Sequence, residues 1–319
     1  MDKTINELLD GVHRADVRSV ARLITLAENG SRAILPAMRE LYPLAGQARV
    51  VGVTGPTGVG KSCLVDCLIG AYRQAGKSVA VIAVDPSSPY TGGAILGDRI
   101  RMQERAVDPG TFIRSMASRR HLGGLAAATA DAVTILDAAG WNLILLETVG
   151  IGQAEVEVST TAQTCLLVLT PNTGDEMQRM KSGIMEIADI FVVNKADTGG
   201  ADLVKRDIQE LVDSMSTRGK PCSLVTCSAT RSEGIDELLQ AISGHYQYLC
   251  DHHLLKQAVV KRVRSQVLSV AQSKIKEMLD SVLESSASLD HYVERVLKGE
   301  SDPVTAGEEL ARRLLRERG

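Results

Sequence analysis

The chain reads as a doubly wound α/β protein with a mostly parallel sheet and helical extensions at its N- and C-termini. Two observations predict this. Short β-rich runs alternate with helical stretches from about residue 48 to 247. Several of those runs are apolar almost throughout, as strands buried on both faces of a parallel sheet should be.

The elements follow in order. Residues 1–47 read as helices: Leu8, Leu9, Val12, Val17, Val20, Leu23, Ile24 and Leu26 recur at helical spacing until Asn29-Gly30 breaks the pattern. Ile34, Met38, Leu41 and Leu44 suggest a further helix before the sheet begins. The candidate strands are Val50–Thr54, Val79–Val84, Thr111–Ser115, Leu143–Glu147, Cys165–Thr170, Ile190–Asn194 and Leu224–Cys227. Residues 248–319 read as helical again, with Val259, Val263, Val267, Val270, Ile275, Leu279 and Leu283 along one face and charges of both signs elsewhere. A helical extension of this kind serves as a dimer or partner contact, or as a brace for the domain beside it.

Composition narrows the function classes. A net charge of −3 indicates neither a basic nucleic-acid surface nor an acidic tail, and 3% aromatic residues leave few platforms for stacking bases. The N-terminus shows no basic segment followed by an apolar stretch, and no apolar run is long enough to span a bilayer, so the expectation is a cytoplasmic protein without membrane contact. The six cysteines contain no C-x-x-C pair and read as reduced, buried thiols.

The chemistry begins at Gly55-Pro56-Thr57-Gly58-Val59-Gly60-Lys61-Ser62, a G-x-x-x-x-G-K-S loop between a strand and a helix. The glycines let successive N–H groups turn inward toward phosphate oxygens, and the helix adds the positive end of its dipole. Gly55, Gly58, Val59, Gly60, Lys61, Ser62 and Cys63 are the candidate phosphate contacts; Lys61 would reach the β- and γ-phosphates and Ser62 would ligate Mg²⁺. Cys63 stands where many such loops carry a second Ser or Thr.

Three further pieces fall at strand ends, where ligands of such sheets bind. Glu147-Thr148-Val149-Gly150 ends a strand with an acid that would hold Mg²⁺ directly or through water, while the Gly150 N–H would approach a γ-phosphate. Asn194-Lys195-Ala196-Asp197 is an N-K-x-D run: the Asp197 carboxylate would accept hydrogen bonds from the N1–H and exocyclic amine of guanine, a donor pair adenine lacks. Alone that run also ends ordinary strands; after a phosphate loop and an acidic strand end it reads as a base site. Ser228 and Ala229 would complete the base pocket through backbone N–H. Asp85 and Asp98, between the phosphate loop and Glu147, are read as metal-linked.

Together these runs resemble the MeaB/ArgK-type GTPases, the methylmalonyl-CoA mutase-associated G proteins. The most specific are Ala83-Val84-Asp85-Pro86-Ser87-Ser88-Pro89, Leu96-Gly97-Asp98, His121-Leu122-Gly123-Gly124, Glu147-Thr148-Val149-Gly150-Ile151-Gly152-Gln153 and Gly174-Asp175. The resemblance implies GTP hydrolysis to GDP, Mg²⁺ held by Ser62, Asp85, Asp98 and Glu147, and catalytic roles for Lys61, Glu147 and Lys181, the last within a partner-responsive segment. It also implies a homodimeric chaperone that gates adenosylcobalamin delivery to, and protects or reactivates, an acyl-CoA mutase. Two other readings stay open. A metal-insertion GTPase would need clustered Cys/His ligands, for which His252-His253 is the adjacent pair. A protein kinase acting on a transport component would need pieces such as H-R-D or D-F-G, which the sequence lacks. Arg114, Arg119 and Arg120 are candidates to supply an arginine finger.

Overall fold

The computed structural model describes residues 3–85, 105–117, 124–148, 158–171, 184–217, 221–283 and 287–316. Among the described residues, seven parallel strands form one sheet in the order β3-β2-β4-β1-β5-β6-β7. They are β1 (Arg49–Thr54), β2 (Val79–Asp85), β3 (Thr111–Ala117), β4 (Leu143–Thr148), β5 (Thr164–Leu169), β6 (Ile190–Val193) and β7 (Ser223–Thr226). Each overlaps a run expected to be a strand. From β1 the chain moves out to β2 and β3, returns to place β4 between β2 and β1, and then crosses to β5, β6 and β7 on the other side. The loop after β1 therefore opens where the winding reverses, the place where such sheets bind ligands.

The helices are α1 (Lys3–His13), α2 (Val17–Glu28), α3 (Ile34–Leu41), α4 (Lys61–Gln74), α5 (Gly124–Ala138), α6 (Ile184–Ile187), α7 (Ala201–Thr217), α8 (Ile235–Asp251), α9 (Leu254–Leu283), α10 (Ala287–Leu297) and α11 (Pro303–Arg316). Strand alternation sorts them into layers. Val50, Ala80, Ile82, Ile144 and Leu146 face a core shared by α1, α2, α3 and α5. Val51, Val53, Val79, Val81 and Leu145 point the other way, onto α4 and α8. A third cluster packs β5 and β6 on α6 and α7. The N-terminal helices are thus continuous with the core of the sheet.

Polar contacts fix how that layer joins. Asp16 caps α2, its Oδ2 accepting from Ser19 N at 2.9 Å and Ser19 Oγ at 2.6 Å. Arg114 on β3 reaches back to α2, where its guanidinium bonds Glu28 Oε2 at 2.5 Å and Thr25 Oγ1 at 3.1 Å. That engagement ties Arg114 to a helix interface and removes it as a supplier of positive charge to a phosphate. The chain then enters β1 through Asp137 of α5, whose buried carboxylate accepts from the N–H groups of Gly46 at 2.6 Å, Gln47 at 3.0 Å and Ala48 at 2.9 Å.

The expected buried thiols are found in part. All six cysteines are free, Cys165 and Cys227 are buried, and Cys63, Cys67, Cys222 and Cys250 are partly exposed. Along α9 the predicted apolar face is largely uncovered, with Val267 63% and Ile275 67% exposed. No helix among the described residues is long and apolar enough to cross a membrane.

Removing Asp137 leaves three amide donors without their shared acceptor. Asp137→Ala is expected to lower unfolding stability by about 2–4 kcal/mol. Urea denaturation measures this; an unchanged midpoint would show that water satisfies those amides as well as the carboxylate does.

Candidate nucleotide site

The loop after β1 turns on glycines for a steric reason. Gly55 has φ +139°, and a Cβ there would lie 2.2 Å from Val168 O; Gly60 has φ +92°, and its Cβ would lie 2.5 Å from Asn194 Nδ2. Gly60 in the left-handed region caps α4, so the helix begins at Lys61 with its N-terminal end at the loop. Lys61 is buried, and its ammonium sits inside the loop, donating to Gly55 O at 2.6 Å and Pro56 O at 2.8 Å. One residue on, Ser62 Oγ donates to Glu147 Oε1 at 2.6 Å. Cys63 is half-buried and packs against the apolar cluster of α4, α8 and the sheet.

Glu147 comes from the neighbouring strand, where the register sets it beside Val53 of β1. Its burial is nearly complete. A hydroxyl and a carboxylate in contact at the mouth of a phosphate loop form an all-oxygen donor pair, which suits the hard Mg²⁺ ion rather than a thiophilic metal. Ser62 and Glu147 therefore fit the metal expected here. Behind them Thr54 and Thr148 pair their hydroxyls at 3.1 Å, a contact that the strand-end reading passed over. Asp85 ends β2 in register with Ala117, one strand beyond β4. The side chain of Asp85 and the whole of Asp98, Gly150 and Lys181 lie outside the described residues, as do Arg119, Arg120 and Gln153.

The base side of the site is built on Asn194. Its side chain is buried; Nδ2 donates to Val59 O at 2.8 Å and Oδ1 accepts from Ala229 N at 3.0 Å. A carbonyl on one side and an N–H on the other allow only one orientation of the amide. Lys195, in the left-handed region at φ 57°, extends over the phosphate loop and donates to Gly58 O at 2.7 Å. Backbone bonds complete the join, with Ala196 N donating to Cys227 O at 3.1 Å. Cys67 of α4 adds a contact absent from the sequence reading, its thiol donating to Ala229 O at 3.1 Å. The structure thus brings together the phosphate loop, Asn194–Asp197 and Ser228–Ala229.

Asp197 stands at the rim of this assembly. The Ser228 hydroxyl, helped by the Arg231 guanidinium, holds its carboxyl below the usual carboxylate range against the opposing effect of burial. The group is therefore an ionised, acceptor-only carboxylate, the form that two N–H donors of a purine edge require. The adjacent histidines lie elsewhere: His252 and His253 are exposed after α8, with His252 Nδ1 2.9 Å from Tyr248 O.

A glycine loop at the switch point of a doubly wound parallel sheet, followed by Lys and Ser on the next helix, places the chain among the P-loop nucleotide-binding proteins. Residues 20–284 match the family described as methylmalonyl Co-A mutase-associated GTPase MeaB, and the chain belongs to that family. It is 42% identical over 315 residues to a putative GTPase of Pyrococcus abyssi, covering 98% of this chain and 97% of the relative. It is 35% identical over 254 residues to the GTPase ArgK of Escherichia coli, covering 76% of each. Among solved structures, one described as a LAO/AO transport system kinase superposes with a TM-score of 0.72 over 99% of both chains at 24% identity, a likeness of fold. The chain is a GTPase.

The base assignment has a direct chemical check. Xanthine carries a carbonyl where guanine carries its exocyclic amine, so an amide N–H at position 197 would suit xanthine and not guanine. Asp197→Asn is expected to weaken GTP binding about 100-fold or more while creating affinity for XTP. Equilibrium titration with both nucleotides reads the exchange, and unchanged GTP affinity would remove Asp197 from the base site.

Proposed function

We propose that this GTPase is a G-protein chaperone for an adenosylcobalamin-dependent acyl-CoA mutase, gating cofactor delivery and protecting or reactivating the enzyme. The observation that carries the reading is the match of residues 20–284 to the mutase-associated GTPase family. Methylmalonyl-CoA mutase is the first candidate partner, since that family's description names it.

The site residues take specific roles in this reading. Gly55, Gly58, Val59, Gly60, Lys61, Ser62 and Cys63 cradle the phosphates, with Lys61 as the cation among them. Asn194, Lys195, Asp197, Ser228 and Ala229 hold the guanine. Ser62 and Glu147, 2.6 Å apart, hold Mg²⁺, joined by Asp85 and Asp98. When bound, the ion neutralises charge developing on the β- and γ-phosphates. Gly150 contacts the γ-phosphate, and Lys181 belongs to the segment that answers to the partner. Residues 1–47 and 248–319 flank the GTPase domain at 48–247, and the C-terminal helices supply the homodimer contact. The protein works in the cytoplasm, without nucleic acid or membrane.

The exposed stripe on α9 supports a role for that helix in assembly: Val260, Val267, Leu268 and Ile275 are all more than half exposed. The three loops sewn together at the sheet rim support coupling between nucleotide state and the surrounding surface.

The test is GTP hydrolysis by the full-length protein, with ATP as control, in the presence and absence of purified methylmalonyl-CoA mutase. Guanine-specific turnover that rises several-fold with the mutase is expected. Turnover indifferent to the mutase would remove the proposed partner while leaving the GTPase intact.

A further inference from the structure

Asp197 has a neighbour that the base-binding reading does not use. Arg231 Nε lies 3.5 Å from Asp197 Oδ2. Its backbone position is fixed by a tight turn. Ser228 and Glu233 bond each other in both directions, at 3.0 and 3.1 Å, and Arg231 N donates to Ser228 O at 3.1 Å. Ser232 adopts φ +56°, and Gly234 is in the left-handed region with Thr226 O 2.3 Å from where a Cβ would sit. The turn thus holds the Arg231 Cα at the rim of the base pocket. The side chain beyond it is 59% exposed and can swing.

We propose that Arg231 is a competing cation, which guanine must displace from Asp197, so that Arg231 weakens guanine-nucleotide binding and speeds release. The inference rests on the assignment of guanine to Asp197. The carboxylate is acceptor-only, and the two groups that compete for it beside the Ser228 hydroxyl are planar arrays of N–H donors: the guanidinium, and the N1–H with the exocyclic amine of guanine. The two arrays ask for the same oxygens. Guanine is positioned by several further contacts and prevails at equilibrium, while Arg231 is always tethered nearby and recaptures the carboxylate as the base lifts. An exposed ion pair is weak, so the gate lowers affinity modestly rather than closing the site. The chain in this way carries its own element for GDP exchange.

The experiment measures GDP affinity and GDP dissociation rate for the full-length protein and Arg231→Ala, at low salt and at about 1 M salt, where the Debye length falls to about 3 Å. The variant is expected to bind GDP up to about five-fold more tightly at low salt, with release slowed to match. That advantage should collapse at high salt, which a merely structural role of Arg231 would not produce. Arg231→Lys, which keeps the charge without the planar fork, should fall between Arg231→Ala and the parent. Weaker GDP binding by Arg231→Ala, or unchanged binding at low salt, overturns the proposal. Asp197→Ala separates the two layers. Loss of GDP binding in that variant upholds the base site, so an indifferent Arg231→Ala then condemns the gate alone. Retained GDP binding removes the base site and the gate together.

Discussion

The side-chain amide of Asn194 is the contact on which the nucleotide site depends. It is buried between the phosphate loop and the base loop and bonds a backbone group of each, Val59 O and Ala229 N. The Cys227 thiol also approaches Oδ1, at 3.6 Å, and the amide holds the two loops at one spacing. Buried polar groups that are fully satisfied rigidify what they join; half-satisfied, they are costly. Gly60 is glycine partly for the same reason, since a Cβ there would strike the Asn194 amide. Lys195 Nζ on Gly58 O and Cys67 Sγ on Ala229 O reinforce the same junction from either side.

The sheet delivers these pieces to one rim. Because β1 lies between β4 and β5, the loop after it faces Glu147 from one neighbour, while β6 beyond β5 brings Asn194 from the other side. Parallel strands buried on both faces tolerate no polar interior, so the polar residues collect at the strand ends. Thr54, Glu147, Thr148 and Asn194 are all buried and polar, and all lie at those ends. The N-terminal helices contribute through packing. Arg114, bonded to Glu28 and Thr25, and Asp137, holding three amides before β1, set the layer that backs the sheet.

Much of this was legible in the chain. All seven strands overlap runs read as strands, and the inner ones announced themselves as apolar runs, because burial on both faces leaves little room for polar residues. The phosphate loop and N-K-x-D run were legible because backbone curvature and guanine recognition each demand particular residue types at fixed spacing. Long-range side-chain pairing was not legible. Arg114 looked like a free cation in a strand, and only the fold shows Glu28, eighty-six residues earlier, against it. Nothing in the sequence pointed to Arg231, which the turn after β7 sets beside Asp197. The apolar stripe of α9 had the periodicity of a buried face, yet periodicity cannot say whether anything in the same chain covers it.

The most direct measurement of the central claim, that one buried amide makes a single site of two loops, is GDP binding by Asn194→Ala. Removing it leaves Val59 O and Ala229 N unpaired, at about 1–3 kcal/mol each. The account predicts a loss of GDP affinity of about ten-fold or more, with reduced hydrogen-exchange protection in both loops. GDP affinity equal to that of the parent, with both loops still protected, would contradict it.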